Sequence, residues 1–281
     1  MPAHRHRLTS VARAPRLARA LALSLVVALL LAGCGGKDEE PKASKEEPAA
    51  AEPSASASAA EVAAPDPGYG APQVGRCYRL SPAETLAPVT SSRRVSCSKE
   101  HTTVIAHVGY VKKAVTTNTP LAKRRAIGKR FCAPAYRKLA GGTVPDRATS
   151  LLTWTLFTPS SDQLQRGARW VRCDVLARSG ESLVALPNSK PLLGNGVPES
   201  LRVCQTETGA DVSCARPHVF RVEAVYAAPG GAYPDPNRYT AAARTRCTEL
   251  MGKDGGFWQP PSEAGWNAGD RYIRCLSRTS S

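Results

Sequence analysis

Residues 95–101 read V-S-C-S-K-E-H and residues 212–218 read V-S-C-A-R-P-H, so V-S-C-x3-H returns at an offset of 117. Further along, Pro159-Ser160-x3-Leu164-x2-Gly167-x-Arg169-Trp170-x-Arg172-Cys173 matches Pro261-Ser262-x3-Trp266-x2-Gly269-x-Arg271-Tyr272-x-Arg274-Cys275 at an offset of 102. Two ordered motifs of this length mark a tandem duplication, and a duplication overrides any domain count taken from composition. The first copy holds Cys77, Cys97, Cys132 and Cys173; the second holds Cys204, Cys214, Cys247 and Cys275.

An even number of cysteines in an exported chain implies disulfides. A metal site would need close pairs such as C-x2-C, and the sequence has none. Bridges kept within a copy, and alike in both copies, leave three connectivities. Cys204 and Cys214 flank a Thr208-Gly209 turn that a hairpin would close, which favours first-to-second and third-to-fourth pairing. The bridges are then Cys77–Cys97, Cys132–Cys173, Cys204–Cys214 and Cys247–Cys275. Each contributes ~3 kcal/mol by restricting the unfolded chain, which matters in domains of roughly 100 residues with few aromatics.

Each copy reads as α+β, an antiparallel sheet with a packed helix. Val104, Ala106 and Val108, and Val219, Val222 and Val225, lie in β-branched runs that suit strands. Thr119-Pro120 and Asp235-Pro236 then supply an N-cap before a proline at the first helical position, and Gly141 and Gly252 lie where the helices should stop. Cys132 and Cys247 ride on these helices, and Pro134 should kink or split the first. The Pro-Ser…Gly segment suits a short capped turn. Residues 178–200, with Pro187, Pro191, Gly194, Gly196 and Pro198, form the linker between two small domains, 73–187 and 188–281.

The amino terminus is of another kind. Arg5, Arg7, Arg13, Arg16 and Arg19 precede an apolar run, Ala20 to Leu31, too short to cross ~30 Å of hydrocarbon comfortably and suited to an export signal. Leu31-Ala32-Gly33-Cys34 resembles the lipobox of bacterial lipoproteins. That resemblance implies a signal peptide over residues 1–33 and a diacylglycerol on Cys34, holding the mature chain on the outer face of the cytoplasmic membrane. Residues 34–72 are rich in Ala, Ser, Pro, Glu and Lys, with Tyr69 the single aromatic, a composition that suits a disordered linker. Such a segment spans roughly 35 Å as a coil and about 120 Å when extended.

The V-S-C-x3-H and P-S-x3-W-x2-G-x-R-x3-C elements together resemble the septum-formation family of exported actinobacterial proteins. The second copy is the closer match, through Cys214, Pro217, His218, Trp266, Gly269, Arg271 and Cys275. The first departs at Glu100 and Leu164, where the family pattern has proline and tryptophan. The resemblance implies a link to division or envelope assembly, and brings no reaction or catalytic residue with it.

Candidate chemistry is sparse. His101 and His218 recur between copies, but a histidine four residues past a bridged cysteine more readily hydrogen-bonds a turn or strand edge than forms a site. His107 would share a face with His101 on one strand, yet Ala224 replaces it in the second copy and no carboxylates accompany it, so no metal is expected. Ser96-x2-Lys99 matches S-x-x-K, without the S-D-N and K-T-G elements of penicillin-binding enzymes, and Arg216 replaces the lysine in the second copy. Trp170, Tyr272, Trp258 and Trp266 suit the core better than a carbohydrate platform. Neither a catalytic set nor a cofactor motif emerges.

Charge points instead to a partner. Residues 73–187 carry nineteen basic and six acidic side chains, whereas residues 188–281 carry eleven and nine. Outside the cell such a surface meets anionic phospholipid, wall polymer or acidic protein rather than nucleic acid. On the first helix Lys123, Arg130 and Arg137 are heptad-spaced on one face, opposite Leu121, Phe131 and Leu139, with Arg124, Arg125, Lys129 and Lys138 on the flanks. The second copy's helix has Arg238, Arg244 and Arg246. The sequence thus describes a non-enzymatic, lipid-anchored envelope protein whose first copy offers a candidate anionic-binding face; the rival is a wall-active enzyme with a dispersed site.

Overall fold

The computed structural model describes residues 64–279, except 91, 229–230, 232, 234–235, 253–255 and 269. The signal segment, Cys34 and most of the spacer, together with Asp235 and Gly269, lie outside the described residues.

In chain order the first repeat is β1 (Cys77–Tyr78), α1 (Pro82–Leu86), β2 (Arg94–Val95), β3 (Thr103–Tyr110), α2 (Leu121–Ala140), α3 (Val144–Ala148), β4 (Leu152–Phe157), α4 (Ser161–Gln165), β5 (Trp170–Ser179) and β6 (Ser182–Val184). The second is β7 (Val203–Gln205), β8 (Asp211–Ser213), β9 (Phe220–Ala227), α5 (Pro236–Met251), β10 (Phe257–Gln259), α6 (Glu263–Ala268) and β11 (Tyr272–Arg278). Both sheets are antiparallel, ordered β2-β1-β3-β5-β4 and β8-β7-β9-β11-β10. Matched by position in the repeat, these are one order, so the duplication is visible in topology as well as in motif. The fold is α+β with four disulfides.

The bridges are Cys77–Cys97, Cys132–Cys173, Cys204–Cys214 and Cys247–Cys275, with Cα atoms 5.2, 5.1, 4.9 and 5.3 Å apart. In each repeat one ties the short first strand to the turn after the second, and the other ties the long helix to the last strand.

Several local expectations are corrected. Thr119 does not cap α2: its hydroxyl accepts from the Thr116 amide at 2.9 Å, and the N-cap is Pro120, which has no side chain to offer. Pro134 does not split α2, which runs from Leu121 through Ala140 around it. The cost is one intrahelical hydrogen bond, the one Arg130's carbonyl would have accepted, and the helix is held on both sides of that position by its packed face. Leu121, expected on the inward side, is 54% exposed at the first position of the helix. The predicted spacer ends early: Asp66 N donates to Arg166 O at 3.2 Å, Arg169 N to Pro67 O at 2.9 Å, and Trp170 Nε1 to Tyr69 O at 3.0 Å.

The largest departure is at the linker. Leu186, Leu192, Leu193, Val197 and Leu201 are buried, in one core with Val104, Leu152 and Val175 of the first repeat and Val203, Val222 and Leu276 of the second. Its amides also close α2, since Leu192 N and Leu193 N donate to the carbonyls of Leu139 and Ala140, both at 3.0 Å, groups that a helix end otherwise leaves orphaned. Backbone bonds then stitch the sheets together: Leu151 N to Leu201 O at 2.7 Å, Val203 N to Thr149 O at 2.9 Å and Gly180 N to Asp211 O at 2.7 Å. The described residues of both repeats fall in one compact unit.

Candidate functional site

The residues that carry the repeated motifs serve the fold. His101 is 2% exposed, with Nδ1 2.9 Å from Lys99 O, and His218 Nδ1 lies 2.7 Å from Arg216 O. Each histidine thus locks the turn two residues behind it. A bulge between Ile105 and His107 breaks the alternation that would have put His107 on the face of His101; His107 instead stacks on Phe131, ring centroids 5.9 Å apart. Among the described residues no group of three or more His, Cys, Asp or Glu is placed to hold a metal ion.

Ser96 Oγ is spent within its own turn, 2.8 Å from Ser98 Oγ. The Pro-Ser elements are helix starts: Ser160 closes a capping box with Gln163, and Ser262 Oγ accepts from Gly265 N at 3.0 Å. The motif arginines fasten the same short helices from the other end. Arg169 donates to Ala168 O at 2.7 Å, and Arg271 donates to the carbonyls of Trp266 and Asp270 while lying 3.9 Å from the Trp266 ring centroid. Trp170 and Trp266 are buried; Tyr272 and Trp258 are half-buried.

One buried ion pair was not anticipated. Arg172 Nε donates to Asp174 Oδ1 at 2.6 Å and Nη2 to Oδ2 at 2.5 Å, with the guanidinium between the rings of Tyr78 (4.2 Å) and Phe157 (4.8 Å). Thr103 Oγ1 donates to the same carboxylate at 3.2 Å. This pair is fully satisfied and lies within the core.

The basic helix is different. Its inward stripe is Gly128, Cys132, Ala135 and Leu139, fixed by the Cys132–Cys173 bridge and by the close seat of Gly128 on Trp154. At 100° per residue Lys123, Arg130 and Arg137 fall on the opposite side, and all three are exposed. Arg125, Lys129 and Lys138 are exposed beside them. Among the described residues none of these cations has an ion-pair partner, and α2 contains no acid. In the second repeat Arg246 pairs with Glu249 at 2.8 Å and Arg244 lies over Trp258 at 5.6 Å.

Two hollows adjoin α2. One, of 890 Å³, lies where the repeats meet and is lined by Tyr136, Arg137, Arg147, Trp154, Asp211 and Arg274 among others. Burial raises the Tyr136 phenol above its ordinary value, and its hydroxyl donates to Leu152 O at 3.2 Å. Asp211 is engaged by Arg274 Nη1 at 2.9 and 2.7 Å. The other, of 920 Å³, runs along the opposite flank of α2 and includes Arg130, Lys138 and Lys190 in its lining. Sequence reasoning missed both, since each needs the linker or the second repeat in place; the one available signal was Lys190-Pro191 directly before Leu192-Leu193.

Four disulfides are the cross-linking of an extracytoplasmic protein. No curated protein and no solved structure matches the chain. A family model described as septum formation matches residues 74–253, which takes in the first repeat, the buried linker and the second repeat as far as the end of its long helix. The match covers more than half of the chain, and the chain therefore belongs to the septum-formation family.

Proposed function

We propose that this is a non-enzymatic envelope protein, lipid-anchored through Cys34 and linked to septum formation, that binds an anionic partner through the outer face of α2. The observation that carries the reading is a helix built against its own stability. Lys123, Arg124 and Arg125 crowd the first turn, where the helix dipole disfavours cations, and no side chain caps that end. Arg124 Nε is buried without a hydrogen-bond partner. Like charges four apart, Arg125 and Lys129, add repulsion. Local rules broken without internal compensation mark function rather than fold, and an anionic surface would relieve both the dipole conflict and the like-charge repulsion.

Lys123, Arg130 and Arg137 stand on successive double turns, about 10 Å apart along the axis, a spacing that suits a continuous surface such as an anionic bilayer or wall polymer. The rival reading, a wall-active enzyme, would use the hollow between the repeats. Its carboxylates are already employed, Asp211 by Arg274 and Asp270 by the Tyr272 amide at 3.0 Å, which supports binding over chemistry.

The test keeps the whole exported chain, because the repeats share a core. The wild type should sediment with anionic vesicles and lose binding as salt rises above ~0.15 M, where screening reaches about 8 Å. Since each basic side chain near such a surface contributes on the order of 1 kcal/mol, the triple variant Lys123→Glu, Arg130→Glu, Arg137→Glu should bind at least about a hundredfold more weakly. Equal, salt-insensitive binding by both proteins would reject the reading. For the anchor, Cys34→Ala should leave the precursor without acyl mass and outside the detergent phase; acylated protein from that variant would refute it.

A further inference from the structure

The hollow on the β1 side of α2 is chemically lopsided. Its floor and walls are Ile105, Ala106, Phe131, Pro134, Ala135 and Leu139, and no acidic residue lines it. It exists because β1 has only two residues, so β3 is left uncovered beside the helix there. Val74, just before β1, is 58% exposed at its edge. The Phe131 ring forms one wall, held by His107 stacked on it and by contact with Gly109, where any Cβ would come within 2.5 Å.

Three cations stand over this apolar groove. Arg130 lies 5.1 Å above the Phe131 ring centroid, Lys138 is exposed two turns along, and Lys190 reaches back so that a Cβ on Gly75 would lie 4.0 Å from its Nζ. None of the three has an ion-pair partner among the described residues. At 920 Å³ the groove is within the ~300–1,000 Å³ typical of small-molecule sites.

We infer that this groove holds one molecule of an anionic phospholipid, an acyl chain along the apolar floor and the phosphate among Arg130, Lys138 and Lys190. Charge complementarity selects the ligand: a neutral lipid would leave three cations unanswered, and a free phosphate would leave the apolar floor wet. The inference deepens the anionic-partner reading and rests on it, adding a discrete site to a diffuse surface. A lipid drawn partly out of the bilayer would also fix the orientation of α2 on the membrane, which surface attraction alone does not do.

The experiment is native mass spectrometry of the exported chain with monomeric six-carbon phosphatidylglycerol, the matching phosphatidylcholine, and glycerophosphate. One equivalent of the anionic lipid should bind, at least about tenfold tighter than either comparator, since both the apolar contact and the charge are needed. Ala135→Phe fills the groove with every cation kept, and Val74→Asp places an acid at its exposed mouth without touching the core. Both should lose the monomeric lipid, while Ala135→Phe still sediments with anionic vesicles through Lys123 and Arg137. Glycerophosphate binding as tightly as the lipid, or lipid binding undiminished in correctly bridged Ala135→Phe or Val74→Asp, would overturn the groove and leave the surface reading standing.

Discussion

Arg271, which recurs as Arg169 in the first copy, shows how a charge can be structural without being an ion pair. Its Nη1 donates to the carbonyls of Trp266, in α6, and Asp270, just beyond it, while the flat guanidinium packs on the Trp266 ring, a combination that lysine, with no planar group, cannot keep in full. Arg271→Lys should cost ~1–2 kcal/mol in urea unfolding, about the worth of a lost hydrogen bond with part of a cation–π contact. A shift below the error of the measurement would show that the arginine is not what seats the helix. The carboxylates set a second expectation. Glu84 is held below its usual range by Ser92 and Ser81, Asp146 by the hydroxyl and amide of Thr143, and Glu199 by the Arg221 guanidinium. A carboxyl lowered on folding contributes stability that is complete above its unfolded value, ~4, and is lost as pH falls through the lower folded value. Stability should therefore decline from pH 5 downward, and Asp146→Asn should flatten that decline slightly, since an exposed pair contributes little; an unchanged slope would reject the assignment. At this scale the sequence spoke clearly where a residue acts on near neighbours. The histidines' turn role and the serine caps were legible because their partners lie two or three positions away. The Arg172–Asp174 pair was not, because only the fold removes it from water.

Among the elements, α2 and its seat make the sharpest test. Gly128 costs a helix about 1 kcal/mol relative to alanine, so alanine there would ordinarily stabilise. Here a Cβ would lie 2.4 Å from Trp154, a rigid ring that cannot simply swing aside. Gly128→Ala should therefore destabilise by ~1–3 kcal/mol, with Trp154→Leu restoring most of the loss in the double variant; a stabilised single variant would mean that the ring moves freely. The bridges should rank by the loops they close. Separations of 41, 28, 20 and 10 residues for Cys132–Cys173, Cys247–Cys275, Cys77–Cys97 and Cys204–Cys214 imply contributions falling from ~3.9 to ~2.7 kcal/mol. Pairwise serine replacement and denaturant titration would expose any inversion. Disulfide choice was readable because two copies had to satisfy one solution. The course of α2 through Pro134 was not, since burial of its inner face outweighs a single lost hydrogen bond. Nor was the two-residue β1, whose brevity opens the groove.

For the molecule as a whole, the duplication led the sequence reading to two domains joined by a linker, and composition alone supported it: prolines and glycines do crowd residues 187–198. The leucines among them were the stronger signal. Leu186, Leu192, Leu193 and Leu201 make the connection part of the core, so the repeats should unfold together. Fluorescence from variants retaining only Trp154 or only Trp266 should report coincident denaturant midpoints; separated midpoints would restore two independent domains. The buried connection also sets an order of events as the chain emerges, amino terminus first, into the oxidising compartment where its bridges form. Cys77, Cys97, Cys132 and Cys173 are all made before Leu192, Leu193 and Leu201, so the first repeat's thiols can oxidise while its apolar face still lacks a cover. The second repeat is then the completing half of a folding reaction begun by the first.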